Sequence, residues 1–186
     1  MSSDFTIVCQ NALTWLAKQK PHSLGNIVTG IPDLDETPYS LSKYRIFVQK
    51  IVELIFKKVA KDGYCLFMNT DRRYQKSWID KSFWIQQVAD QLKIPLKWHK
   101  IIILRPVGST HIQRPTYQHY LCFSYLAGPG EASPDVMTCG KKIYANASCP
   151  NGVKHAINFI KRYSNHREVV DPFVGRGTIL YEAKLK

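Results

Sequence analysis

The stretch Glu168-Val169-Val170-Asp171-Pro172-Phe173-Val174-Gly175-Arg176-Gly177-Thr178-Ile179-Leu180 decides how this chain folds. It runs as apolar strand, acidic turn, Gly-x-Gly loop and helix start. A parallel α/β sheet cradles a small polar ligand in this way. Glycine lets the backbone come close, and the helix that follows offers N–H groups with no partner inside it. Leu180 stands where a third glycine would be, so the Gly-x-Gly-x-x-Gly fingerprint of dinucleotide binding is absent.

Upstream, residues 5–9, 26–30, 64–70, 96–103 and 117–125 are short, apolar and rich in β-branched or aromatic side chains, and are expected strands. Apolar residues at helical spacing predict helices over residues 11–20, 77–92 and 151–163. A longer helix begins at Thr37-Pro38, a capping hydroxyl followed by proline. Leu41, Tyr44, Val48, Ile51, Ile55 and Val59 fall on one of its faces, and lysines read as a solvated surface fill the rest. Residues 127–133 read as a flexible link, and 136–144 carry no decisive pattern. The connection between the fourth and fifth strands is too short for a helical crossover, so these two should form an antiparallel hairpin at the sheet edge. The fold class is therefore α/β, one domain over residues 1–186, with a mostly parallel sheet. Ligands of such sheets bind beyond the strand C-terminal ends, where the loops 31–36, 69–73 and 171–178 should meet.

The chain has 186 residues, 45% of them hydrophobic, enough for a real core. No apolar run reaches the roughly 18 residues of a membrane span. The N-terminus lacks the basic start and apolar stretch of a secretory signal, so an intracellular location, cytoplasm or nucleus, is expected. The five cysteines are scattered and read as buried free thiols of a reducing compartment. A zinc site from Cys139, Cys149 and His155 has no Cys-x-x-Cys pair behind it, and no metal is expected. Lysine and arginine number 26 against 14 acids, a formal charge of +12. A polyanionic partner follows, with nucleic acid the leading class.

The eight residues Asp171 to Thr178 resemble Asp-Pro-Phe-x-Gly-x-Gly-Thr, the cofactor motif of S-adenosylmethionine-dependent amino-methyltransferases. Cys149-Pro150-Asn151-Gly152 and the helix after it resemble the segment that leads into this motif in the permuted DNA methyltransferases, where the catalytic motif comes first. Residues 6–13 resemble the family's strand that ends in Gly-Asp, with Asn11 in the acidic place near the adenine. Residues 117–124 resemble the strand that carries a His or Glu before an apolar run. The resemblance implies a Rossmann-like methyltransferase sheet, circularly permuted, and S-adenosylmethionine held by Asp171, Pro172, Phe173, Gly175, Gly177, Thr178, Asn11 and Asn151. It also implies one more strand after the cofactor helix. Lys184-Leu185-Lys186 falls inside that helix, so a longer chain or a protein partner is expected to complete the sheet.

Where the family places Asp/Asn/Ser-Pro-Pro-aromatic, this chain has Ile31-Pro32-Asp33-Leu34. Pro32 matches the first proline. Asp33 offers a carboxylate two positions late, with Glu36 nearby. Asp33 and the backbone at Pro32 are thus the candidate catalytic groups, orienting an amine or taking its proton. Arg105, His111, Arg114, Tyr117 and His119 cluster cations with rings around one loop and strand, as nucleic-acid contact requires. Arg72 follows the third strand and could hold phosphate or pair with Asp33 or Asp35. The expected activity is methylation of a base nitrogen. RNA is favoured over DNA because the chain is small and has no separate recognition domain. The alternatives are a DNA amino-methyltransferase and a non-catalytic subunit that binds nucleic acid or a protein.

Overall fold

The computed structural model describes residues 5–127, 132–142, 144 and 147–185. Six strands form one sheet: β1 (Asn26–Thr29), β2 (Cys65–Asn69), β5 (Leu96–Ile103), β6 (Tyr117–Phe123), β7 (Val136–Thr138) and β8 (Val169–Val170), in the order β7-β5-β6-β2-β1-β8. β6 is antiparallel to both neighbours, and the other pairings are parallel. The β5–β6 hairpin is thus present, with β7 added outside it, so β5 is not the edge. Side chains alternate between two buried faces. Ile27, Cys65, Phe67, Leu121 and Phe123 pack with helices α1 (Ala12–Lys18), α2 (Leu41–Lys58) and α3 (Lys81–Gln91). Val28, Leu66, Met68, Tyr120 and Cys122 pack with α4 (Pro150–Tyr163) and α5 (Thr178–Lys184). Burial on both faces is why these strands read as continuous apolar runs.

Three expectations change. Residues 5–9 join no ladder among the described residues, and Phe5, Ile7 and Val8 are all more than half exposed. A strand needs a partner, and a cleft separates this segment from β8, the end strand of the sheet. The long helix starts at Leu41 after Ser40, not at Thr37-Pro38. Thr37 instead closes a 3-10 turn, Leu34–Glu36, built by reciprocal capping between Asp33 and Glu36. The helix expected from residue 77 begins at Lys81, where the Asp80 side chain accepts from the Phe83 N–H at 2.8 Å. Residues before it form a hairpin, β3 (Arg72–Tyr74) with β4 (Ser77–Ile79). Gln75 and Lys76 take positive φ at its tip, the backbone of a tight hairpin turn.

The cysteine reading also changes. Cys139 and Cys149 form a disulfide, Cα atoms 4.7 Å apart, joining the end of β7 to the start of α4. His155, the third residue of the conceivable zinc set, turns instead to Tyr120 and Ser133. Cys65 and Cys122 are buried free thiols, and Cys9 is exposed. Most of the link expected at residues 127–133 lies outside the described residues. Among the described residues, no helix is long and apolar enough to cross a membrane.

Candidate active site

The three loops meet as their topology requires. The Thr29 hydroxyl, at the end of β1, donates to Asp171 Oδ1 at 2.7 Å. Ile31 N donates to Asn69 Oδ1 at 2.9 Å, which ties the turn after β1 to the end of β2. Asp33 and Asp35 face Arg72 across the same gap. Parallel pairing of β8, β1 and β2 sets these three ends side by side.

Asp171 heads the Gly-x-Gly loop and also accepts from Phe173 N at 3.0 Å. Burial pushes its carboxyl up to about 6, against the opposing pull of the Thr29 and Phe173 hydrogen bonds. Gly175 and Gly177 have φ of +51° and +81°, which L side chains rarely adopt. Nothing lies within 4 Å of where a Gly177 Cβ would stand. The loop therefore presents bare backbone on an open side. Asp171 and Pro172 line a cleft of ≈ 490 Å³ with Phe5, Val8, Trp15 and Leu180. A smaller pocket of ≈ 180 Å³ lies on the other side of Ala12, lined by Asn11, Pro32, Glu36, Phe47 and Phe173.

The turn between β1 and α2 is saturated with hydrogen bonds. Lys81 Nζ, only 3% exposed, donates to Ile31 O at 3.2 Å and Asp33 Oδ1 at 2.5 Å. The Tyr44 hydroxyl donates to Pro32 O at 2.7 Å, and Asp33 N donates to Glu36 Oε2 at 2.9 Å. Asp33 Oδ2 lies 3.1 Å from Arg114 Nη2 and 3.6 Å from Arg72 Nη1. Burial and the nearby Asp33, Glu36 and Asp35 carboxylates push the Tyr44 phenol far up, so it stays a donor. Tyr44→Phe removes one buried hydrogen bond and is expected to cost about 1 kcal/mol of stability by urea titration.

The acceptor carboxylate and the space suit a cofactor with an ammonium and a polar chain. A carboxylate sits beside an unhindered glycine loop, and the cleft has the volume of small-molecule sites, roughly 300–1,000 Å³. No family model matches the sequence, and no curated protein matches it. Solved structures do. The PvuII DNA methyltransferase, cytosine-N4-specific, superposes with a TM-score of 0.74 at 14% identity, covering 95% of this chain and 76% of that one. The chain shares the fold of this DNA methyltransferase. A candidate DNA modification methylase from Thermus thermophilus, complexed with S-adenosyl-L-methionine, gives 0.66 at 15% identity over 92% of this chain and 81% of that one. The M1.HpyAVI complex with the same cofactor gives 0.58 at 12%, over 95% and 84%.

On this methyltransferase fold, the residues proposed from sequence separate into two groups. Asp171, Pro172, Phe173, Pro32 and Asn11 line the cleft or the smaller pocket. Asn11 also caps α1 by accepting from Thr14 N. Thr178 is buried, with its hydroxyl 3.1 Å from that of Tyr144. Asn151 lines neither cavity. Its side chain donates to Thr138 and its N–H to Cys139 O. Asp33 also lines neither, because its oxygens face three cations. Arg72 and Arg114 are both drawn to Asp33 and Asp35, and Arg105 is exposed. Tyr117 and His119 pack edge-on, ring centres 5.3 Å apart. The sequence reading missed Thr29, Tyr44, Asn69 and Lys81. No local pattern distinguishes them, since each acts on a residue at least 12 positions away.

Proposed function

We propose that this protein transfers a methyl group from S-adenosylmethionine to an amino group of a DNA base. The observation that carries the reading is the meeting of the Asp171–Thr178 loop with the turn at Pro32, through Thr29 and the pocket that Pro32 shares with Phe173. The cofactor supplies an electrophilic methyl group, so alignment of the amine is the protein's main task. Asp171, Pro172 and Val174 line the larger cleft and would hold the cofactor there, while Gly175 and Gly177 line neither cavity and would act by shaping the loop. At the pocket the acceptors are the Pro32 carbonyl and the exposed Glu36 carboxylate. Asp33 then serves the reaction by fixing the turn rather than by touching the amine. The DNA-modifying neighbours support DNA in place of the RNA expected from chain size. The turn at Pro32 precedes the cofactor loop in the chain, and we read this order as circular permutation. The second reading, a non-catalytic subunit, draws on the saturated turn, in which Lys81 already donates to a carbonyl and a carboxylate as a target amine would. The free outer side of β8, facing the cleft, is where a strand from a partner or from further chain would add.

Titration calorimetry with S-adenosylmethionine should give heat at micromolar to millimolar ligand, and absence of heat would sink the enzyme reading. Labelled methyl transfer onto total DNA and total RNA, followed by nucleoside analysis, should mark an amino-methylated base in DNA alone. Binding without transfer to either polymer would favour the non-catalytic reading.

A further inference from the structure

One buried carboxylate outside the methyl-transfer pocket organises a row of rings. Asp71, 1% exposed, accepts at Oδ2 from Trp78 Nε1 at 3.2 Å and lies 3.0 Å from His119 Nε2. Its Oδ1 accepts from Lys81 N at 3.1 Å. His119 Nδ1 lies 2.8 Å from His99 Nε2, and Tyr117 meets His119 edge-on. Four rings from β4, β5 and β6 are therefore chained to a single fixed point. Trp78 is 44% exposed, and His99 also opens to solvent. Asp71, Asp80 and His119 bring ligand-type atoms within 4.8 Å. The two carboxylates already accept hydrogen bonds, Asp71 from Trp78 and Lys81 and Asp80 Oδ1 from Ser82 and Phe83, so the cluster orders rings rather than a cation.

Charge flanks the row. The Arg73 guanidinium lies 5.6 Å from the centre of the Trp78 ring, and Lys76 stands exposed at the hairpin tip. Neither forms an ion pair among the described residues, whereas Arg72 and Arg114 are engaged by Asp33 and Asp35. Arg73 N donates to Gln113 O, which seats the hairpin against the loop carrying Arg105 and Arg114. Fixed rings beside free cations match unstacked bases on a charged backbone. A duplex hides its base faces and offers nothing to stack on.

We propose that Trp78, His99 and Tyr117, with Arg73 and Lys76, form a stacking platform for an unpaired stretch of DNA strand next to the target base. The proposal rests on the DNA reading of the site. Lys81 links the two, giving its N–H to Asp71 and its ammonium to the turn at Asp33. The test is fluorescence anisotropy with a short labelled single strand of DNA, its duplex and the RNA of the same sequence. The whole protein should bind the single strand more tightly than the duplex. Trp78→Ala should weaken single-strand binding roughly 5- to 100-fold, and Trp78→Phe should restore most of it. Arg73→Ala and Lys76→Ala should each lower the salt slope by about one counterion or less. Calorimetry with S-adenosylmethionine should be unchanged in every variant. Equal affinity of wild type and Trp78→Ala for the single strand overturns the platform, as does unchanged salt dependence in both cation variants. Tighter binding of the RNA overturns the DNA assignment. Cofactor heat with a failed platform leaves the methyltransferase reading standing. A Trp78-dependent single-strand affinity without cofactor heat leaves the platform standing and removes the methyl-transfer reading.

Discussion

Asp171→Asn is expected to raise the thermal stability of the ligand-free protein near about pH 8 while removing most of its affinity for S-adenosylmethionine. In the fold this carboxyl is pushed up to about 6 from an ordinary value of 3.8. The folded state therefore holds the proton more tightly than the unfolded chain. The stabilisation from the neutral acid is complete below the unfolded value and is lost as pH rises through about 6. Above that, the fold carries an ionised carboxylate in a largely buried place. At ~1.4 kcal/mol per unit the whole shift is worth about 3 kcal/mol, and the side facing the open cleft reduces this to about 1–2 kcal/mol. Asparagine keeps an oxygen for Thr29 and Phe173 and carries no charge. The melting temperature near pH 8 should rise by roughly 2–8 °C, and the gain should vanish near about pH 4. Calorimetry at the higher pH should show cofactor affinity reduced at least about tenfold, the loss of a charge-assisted contact. A stability difference that does not change with pH would refute the account of this residue. Unchanged cofactor affinity would place the ligand elsewhere.

Asp33→Ala should be the more damaging substitution for the fold. It leaves Lys81 and Arg72, with side chains 3% and 16% exposed, facing a gap where a carboxylate stood. Removing one partner of a buried ion pair costs about 3–5 kcal/mol. Asp35 still pairs with Arg72 at 2.6 Å, and Ile31 O still accepts from Lys81, so the lower end of that range is expected. Asp33→Asn keeps two polar atoms in place and should lose less. Adding Lys81→Met to Asp33→Ala removes the stranded ammonium and should recover part of the loss, which a double-mutant cycle in urea reads directly. A loss below about 1 kcal/mol for Asp33→Ala would mean that water solvates the site and the ion cluster is not buried. The consequence for enzymology is direct. Loss of activity in Asp33→Ala would report an unfolded turn, so Glu36→Gln and Asp33→Asn are the informative variants.

The glycine loop could be read from sequence because its demands are local. Positive φ at Gly175 and Gly177, the acid at the strand end and the adjoining apolar run all lie within a dozen residues. The long helix was legible for the same reason, since its apolar face repeats every turn and Tyr44, Val48, Ile51 and Ile55 are all buried. The β5–β6 hairpin followed from the short connection alone.

Errors arose where a local signal had a competitor or no partner. Thr37-Pro38 has the chemistry of a helix start, but the Asp33–Glu36 capping box closes a turn there first. Residues 77–79 carry an apolar pattern that also fits a helix, yet they pair with residues 72–74, and Asp80 caps the helix that follows. Residues 5–9 have the composition of a strand but no ladder partner among the described residues.

By itself, then, the sequence determined an α/β sheet, the strands β1, β2, β5, β6 and β8 in their chain order and a glycine-built cradle headed by Asp171. Only the tertiary structure decided which side chains the cradle faces. Asp33 was a candidate catalytic carboxylate on paper and is held by Lys81, 48 positions away. Cys139 and Cys149 were separate thiols and are joined. His99, His119, Trp78 and Asp71 shared no motif and form one chain of contacts. Periodicity and capping act over a few residues of backbone. These pairings depend instead on sheet register, such as His119 opposite both Asn69 and Ile101, and register is settled only when the whole core packs.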